Sequence, residues 1–305
     1  MKCAHSRTLN NNNAAPIHLA TTGADEETVK VLIRYHANVN VCDRKHQNTP
    51  LHICAAYGLG NIAKLLIEHG ANVNALNRTE QTPLHRAGER HVSMYRGIYG
   101  AAEILIQNGA IVDALDVYFF TPLHYASKSG RLSIMDLLIK NGANVNSCSV
   151  ALGTPLHVAA SNQRENGIRL LCRSNADVNA IFDSEHTSNT PMDEYLLNHH
   201  ACYISTVRFL ICYGAEISRK ISEMSQLDTS VKEEISKIKT ALELIRNGES
   251  VPKSLKLFTS QDMEYFQELA LMFCFRCAEC SVKAFNKTKS YLTFHGIFMS
   301  DVWLQ

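Results

Sequence analysis

Thr49-Pro50-Leu51-His52 is a phrase that the chain keeps repeating. It returns intact at Thr82-Pro83-Leu84-His85, Thr121-Pro122-Leu123-His124 and Thr154-Pro155-Leu156-His157. A worn copy, Ala15-Pro16-Ile17-His18, opens the series, and another, Thr190-Pro191-Met192-Asp193, closes it. The prolines stand 34, 33, 39, 33 and 36 residues apart. A second phrase follows each copy: Asn38-Val39-Asn40, Gly70-Ala71-Asn72-Val73-Asn74, Gly109-Ala110-Ile111-Val112-Asp113, Gly142-Ala143-Asn144-Val145-Asn146 and Asn175-Ala176-Asp177-Val178-Asn179. Two phrases locked in phase at one period mark an array of repeated units.

The phrase is helix-start chemistry. A Thr side chain just before the first turn can cap free amides. Pro then occupies the first helical position, where its missing N–H costs nothing. In the unit that begins at Pro50, a first helix is predicted over 50–57, broken by Gly58-Leu59-Gly60. A second is predicted over 61–69, with Ile62, Leu65, Leu66 and Ile67 on a buried side. Gly70 supplies the left-handed residue that ends it. An extended finger leads from Asn72-Val73-Asn74 to the next Thr-Pro.

Over about residues 10 to 216 the chain resembles the ankyrin-repeat family. The resemblance implies an all-α solenoid of helix-turn-helix units with β-hairpin-like fingers, followed here by a helical C-terminal segment. It implies that His52, His85, His124 and His157, with their threonines, are hydrogen-bonded within and between repeats. A single unit cannot bury its own apolar face, so stacked neighbours share a continuous core. The expected product is a curved rod whose concave side, made of fingers and first helices, suits a macromolecule better than a small substrate. The Asn of the Val-Asn phrase (Asn40, Asn74, Asn146, Asn179) also resembles the asparagine that a cytosolic hydroxylase modifies in some ankyrin proteins; a finger-start hydrogen bond is the expected main role.

Composition fits this picture. The 305 residues are 46% hydrophobic and 19% charged with net charge +1, a balance without the basic excess of a nucleic-acid binder. No run of 18 apolar residues suggests a membrane span, and Met1-Lys2-Cys3-Ala4-His5 lacks the apolar core of a secretory signal. Ten scattered cysteines, among them Cys54, Cys172 and Cys212 at core-like positions, read as reduced thiols. The cytoplasm is the expected compartment, with the nucleus as the alternative.

The expected organisation is a mobile leader over 1–13, six repeats over 14–216, a degenerate seventh unit or cap over 217–250, and a helical segment over 251–305. Repeat one has His36 where Gly usually ends the second helix, so either His36 sits at positive φ or the helix ends differently, and repeat five has Asn175 there, a residue that tolerates the left-handed region. Repeat three carries six extra residues, placed in a loop over 90–99 that holds Arg90, Met94, Tyr95, Arg96 and Tyr99. Repeat six has three extra residues near Asn198-His199-His200. The finger of repeat four reads Val117-Tyr118-Phe119-Phe120, with Phe119 where the family usually has a tight-turn Gly. A finger tip is normally wet, so at least one of these aromatic side chains is expected to be a binding anchor. The alternative is that the rings fold back on neighbouring fingers or on the inserted loop.

No nucleophile elbow, phosphate loop or carboxylate pair stands out. Cys274, Cys277 and Cys280 overlap on one predicted helix, an unsuitable spacing for structural zinc. The expectation is a protein that is not an enzyme, needs no cofactor or metal, and binds a protein partner, with no nucleic acid, small-molecule substrate or membrane insertion. Positions variable in the family supply the candidate contacts. On fingers these are Lys45, His46, Asn48, Arg78, Thr79, Gln81, Val117, Tyr118 and Phe120. On first helices and the inserted loop they are Tyr57, Arg90, Tyr95, Lys128 and Ser129. The alternative reading is an adaptor whose C-terminal segment recruits a ubiquitin ligase or other machinery.

Overall fold

The computed structural model describes residues 14–89, 98–184, 187–197 and 204–216, together with 232–233, 236–237 and 240. The leader over 1–13, most of the inserted loop, the extra residues of repeat six and the C-terminal segment over 251–305 lie outside them, as does the degenerate seventh unit apart from the five isolated positions, all helical. The chain divides into two compact units, Met1–Asn198 and His199–Gln305.

In the first unit, helices alternate between two rows. The first helix of each pair begins at the phrase proline: α1 (Pro16–Thr22), α3 (Pro50–Tyr57), α5 (Pro83–Gly88), α7 (Pro122–Ser129), α9 (Pro155–Ser161) and α11 (Pro191–Leu197). Between them run α2 (Glu26–Arg34), α4 (Gly60–Glu68), α6 (Ile98–Gln107), α8 (Leu132–Lys140) and α10 (Glu165–Arg173). Each first helix packs on the next first helix, and each of α2, α4, α6 and α8 on the next second helix. The interior is therefore a line of small clusters: Leu51, Cys54, Ile62 and Leu66, then Leu84, Ala101 and Leu105, then Leu123, Ile134 and Leu138, all fully buried. Strands β1 (Phe182–Ser184) and β2 (Thr187–Asn189) form an antiparallel hairpin in the finger before α11. In the second unit, α12 (Ile204–Cys212) buries Val207, Phe209, Leu210 and Ile211.

The helix starts differ from expectation in one respect. The threonine hydroxyl faces the N3 amide in a capping-box position but makes no cap hydrogen bond. It pairs instead with the imidazole three residues on: Thr49 Oγ1 lies 2.8 Å from His52 Nδ1, which also accepts the Thr49 amide at 3.1 Å. Two protons aimed at Nδ1 leave the hydrogen on Nε2, which donates to the Gln81 carbonyl of the next repeat at 2.9 Å. The same bond joins His18 to Asn48, His85 to Phe120, His124 to Gly153 and His157 to Asn189. In the last copy Asp193 accepts the Thr190 amide at 3.0 Å, which reproduces the local half of the motif. A carboxylate has no N–H to pass on.

A second ladder runs along the finger starts. Asn40 donates through Nδ2 to Gly70 O at 2.9 Å and accepts the Asn72 amide at 2.7 Å; Asn74 repeats this with Gly109 and Ile111, and Asn146 with Asn175 and Asp177. Asp113, where the phrase has aspartate, accepts the Asn144 amide. The turn residues His36 and Asn175 both take positive φ, at 59° and 64°. Two boundaries move. Gly58 alone ends α3, at φ 72°, while Gly60 is already the first residue of α4. Ile98 and Tyr99 belong to α6 and not to the inserted loop.

Candidate interaction surface

The second, third and fourth fingers are each shaped by one short polar side chain. Asp116 Oδ1 accepts the amides of Tyr118 and Phe120, both at 2.9 Å. Asn77 does the same for Thr79 and Gln81, and Asp43, in a finger one residue longer, for His46 and Asn48. These are side-chain mimics of a turn, which Asp and Asn make well. The turn forces the residue three before Pro into the left-handed region: Gln47 at φ 58°, Glu80 at 59° and Phe119 at 60°. The following carbonyl closes the finger by accepting the Asx amide, as Phe120 O does from Asp116 at 3.1 Å. That same oxygen receives the histidine of the preceding repeat, so both of its lone pairs are used. Neighbouring tips are tied by Arg78 N to His46 O at 2.9 Å and Val117 N to Thr79 O at 3.2 Å.

This geometry sorts the candidate contacts. Lys45, His46, Arg78, Val117, Tyr118 and Lys128 are exposed, while Tyr57, Thr79 and Ser129 are half-buried. Arg90 and Tyr95 lie outside the described residues. Asn48, Gln81 and Phe120 are buried, against expectation. They share the position just before the phrase threonine, whose carbonyl takes the histidine bond, and the side chain turns inward with it. Phe120 is 9% exposed and packs edge-on against Tyr125, centroids 5.5 Å apart, and beside His124 at 5.5 Å. Asn48 Oδ1 accepts from Asn77 Nδ2 at 3.0 Å, and Gln81 Oε1 from the same nitrogen at 3.1 Å. These three side chains build the fingers instead of presenting themselves. Phe119, which the left-handed turn throws outward, is 50% exposed beside Tyr118 at 52%.

Beneath the third and fourth fingers lies a polar network that the sequence patterns do not single out. Gln81 Nε2 donates to Tyr125 OH at 2.8 Å and to Glu89 Oε1 at 3.0 Å; Tyr125 OH donates to Asp116 Oδ2 at 2.6 Å; and Arg86 pairs with Glu89. Burial, with the Asp116 carboxylate beside it, pushes the Tyr125 phenol well above its ordinary pKa, so it remains a donor. The network locks fingers to first helices, and its one advance signal is Asn or Asp six residues before the phrase proline at Asn77 and Asp116.

The five phrase histidines are equally unavailable for chemistry. Burial lowers the pKa of His52 and His124 to about 4, and that of His18, His85 and His157 in the same direction. Burial likewise pushes the Cys172 thiol up to about 12. Among the described residues no group of three His, Cys, Asp or Glu side chains could hold a metal ion. Phe120, His124, Tyr125, Lys128, Leu152 and Val158 converge where fingers and first helices meet, and the hollow between them is too tight to admit a water molecule.

The comparisons with known proteins agree with this architecture. The model of ankyrin repeats in three copies matches residues 2–77 and 75–149, and the single ankyrin-repeat model matches 153–182. Among solved structures, the human ASB11 ankyrin repeat domain is similar, with 27% identity and a TM-score of 0.57 over 68% of this chain and 86% of that one. No curated protein matches the chain. With its repeat phrase, its paired helices and family matches across the greater part of its length, the chain belongs to the ankyrin-repeat family.

Proposed function

We propose that the chain is a non-enzymatic scaffold that binds another protein through its finger tips and first helices. Ankyrin repeats generally act as protein–protein interaction modules, and the family matches place this chain among them. One observation carries the reading furthest. Val117, Tyr118 and Phe119 stand exposed on a finger whose backbone is fixed by Asp116 and by its neighbour Thr79. Large apolar side chains on a rigid, solvated tip lose little freedom on binding and bury much area, which is the profile of an interface anchor. Lys45, His46, Arg78, Thr79, Tyr57, Lys128 and Ser129 complete the surface; Arg90 and Tyr95, outside the described residues, stay candidate contacts from their place in the sequence alone. Asn48, Gln81 and Phe120 support it from below. No helix among the described residues is long and apolar enough to cross a membrane, and the reading places the scaffold in the cytoplasm or nucleus.

Affinity purification from cell lysate tests this, with the wild type beside Tyr118→Ala/Phe119→Asn and both checked for equal thermal stability. A partner captured by the wild type and lost with the variant is the expected result. An unchanged partner set would move binding off the fourth finger. The adaptor reading, in which residues 250–305 recruit further machinery, is tested separately by a pull-down with the full chain and with a chain ending at 250. Loss of one group of proteins and retention of another is its expected outcome.

A further inference from the structure

The scaffold reading leaves the partner's chemistry unnamed, and the inference here rests on that reading. The finger tips are not uniform along the stack. The second finger exposes Arg44, Lys45 and His46, and the third exposes Arg78. Glu80 is the one exposed acid on these two tips. Asp43 lies there too, but its carboxylate is turned onto the His46 and Asn48 amides. At the fourth finger charge gives way to Val117, Tyr118 and Phe119, and at the fifth to Val150, 70% exposed, and Leu152. The bonds from Arg78 N to His46 O and from Val117 N to Thr79 O hold tips two, three and four in one continuous row. Phe120 and Leu152 converge beneath its apolar end.

We propose that this row takes an extended segment of a partner protein, with acidic residues against the basic tips and large apolar side chains against the fourth and fifth. Charge complementarity commits the occupant: the basic tips carry three cationic side chains and a histidine against one exposed carboxylate, whereas the tips of the fourth and fifth fingers carry no exposed charge, Lys128 standing on the first helix beside them. A single-stranded nucleic acid would stack bases on the two rings but leave Val117, Val150 and Leu152 without a counterpart, and a chain of net charge +1 lacks the basic excess that such binding draws on. Charged groups at the basic end set orientation and speed of encounter, while the rings supply most of the buried area. The geometry also sets a spacing. Packed helices lie about 8–10 Å apart, so two repeat steps cover roughly 20 Å. An extended chain advances about 3.3 Å per residue, which separates the acidic and apolar positions of the partner by about six residues.

Selection of phage-displayed random peptides of about 16 residues (about nine cover the three steps between four fingers and the rest flank them) on the full chain tests this. Arg44→Glu/Lys45→Glu and Tyr118→Ala/Phe119→Asn serve as counter-selections after equal thermal stability is verified. The expected consensus pairs two or more Asp or Glu with large apolar residues about six positions away. Synthetic peptides of that pattern should lose about tenfold or more in affinity against the charge-reversed variant, weaken with added salt, and fail to bind the aromatic variant. A consensus that depends on the fingers but lacks either the acids or the apolar residues overturns this assignment and leaves the interaction surface standing. The absence of any finger-dependent peptide overturns both.

Discussion

At the scale of single residues, the histidine of the phrase is the most constrained group in the chain. Its Nδ1 accepts from the threonine before it and its Nε2 donates to the next repeat, an arrangement that only the neutral ring can make. The folded-state pKa is depressed, so the unfolded chain binds more protons between pH 6.5 and about 4. Stability is then full above about 6.5 and lost as pH falls toward 4. His52 and His124 account for up to about 3 kcal/mol each across that window. Thermal melts at constant ionic strength should be flat from about pH 8 to 6.5 and fall steeply below; a flat profile down to pH 4.5 would contradict the assignment. His124→Ala should cost about 3 kcal/mol in urea unfolding, because it strands the Thr121 amide and hydroxyl in the core. Gly153 O keeps its bond from Ser149. Phe119 is the opposite case. Its ring is exposed and its φ is 60°, so Phe119→Gly should leave stability unchanged or raise it by up to about 1 kcal/mol, while weakening partner capture. A destabilised Phe119→Gly would show that the ring packs inward after all.

At the scale of elements, helices were legible and finger facing was not. Thr-Pro-Leu-His and its two worn copies place every first helix, because the N1 proline, the core apolar residue and the side chain three residues on that accepts the N-cap amide are all local signals. Facing within the finger is set by a non-local bond, the histidine of the previous repeat reaching the carbonyl before Thr. Phe120 therefore reads as part of an exposed aromatic run in one dimension and turns inward in three. Its aligned positions Asn48, Gln81 and Asn189 are buried with it, and setting the repeats in register reveals the shared role. The six extra residues of repeat three were countable from the proline spacing, yet Ile98 and Tyr99 extend α6, since apolar residues at the loop end continue the helix pattern. Helix packing gives a sharp test at two glycines. A Cβ at Gly88 would meet Ala126 N and Pro122 O of α7 at 2.8 Å, whereas one at Gly70 would meet nothing within 4 Å. Gly88→Ala should thus cost about 2–3 kcal/mol through overpacking. Gly70→Ala, at φ +85°, should cost only about 1 kcal/mol of backbone strain. Equal costs in denaturant titrations would mean that α5 and α7 do not approach this closely.

At the scale of the molecule, two hydrogen-bond ladders do one job. The histidine ladder links the first helices to the next fingers, and the asparagine ladder links the finger starts to the ends of the second helices. Both are written into the sequence as phrases because every repeat must offer its neighbour the same donor and acceptor. What the phrases leave free is the surface between them, and there the fingers diverge, basic at the second and third and apolar at the fourth and fifth. Divergence superposed on a uniform scaffold is the basis for placing binding on the tips. The most direct test is site-specific photo-crosslinking in cell lysate, with a benzophenone amino acid at position 118 and, as control, at position 35. Tyr35 is 75% exposed at the end of α2, in the other row of helices. Covalent adducts at position 118 and none of the same proteins at position 35 are the result this account predicts. Adducts at position 35 alone, or the same proteins at both positions, would contradict a binding surface formed by the fingers.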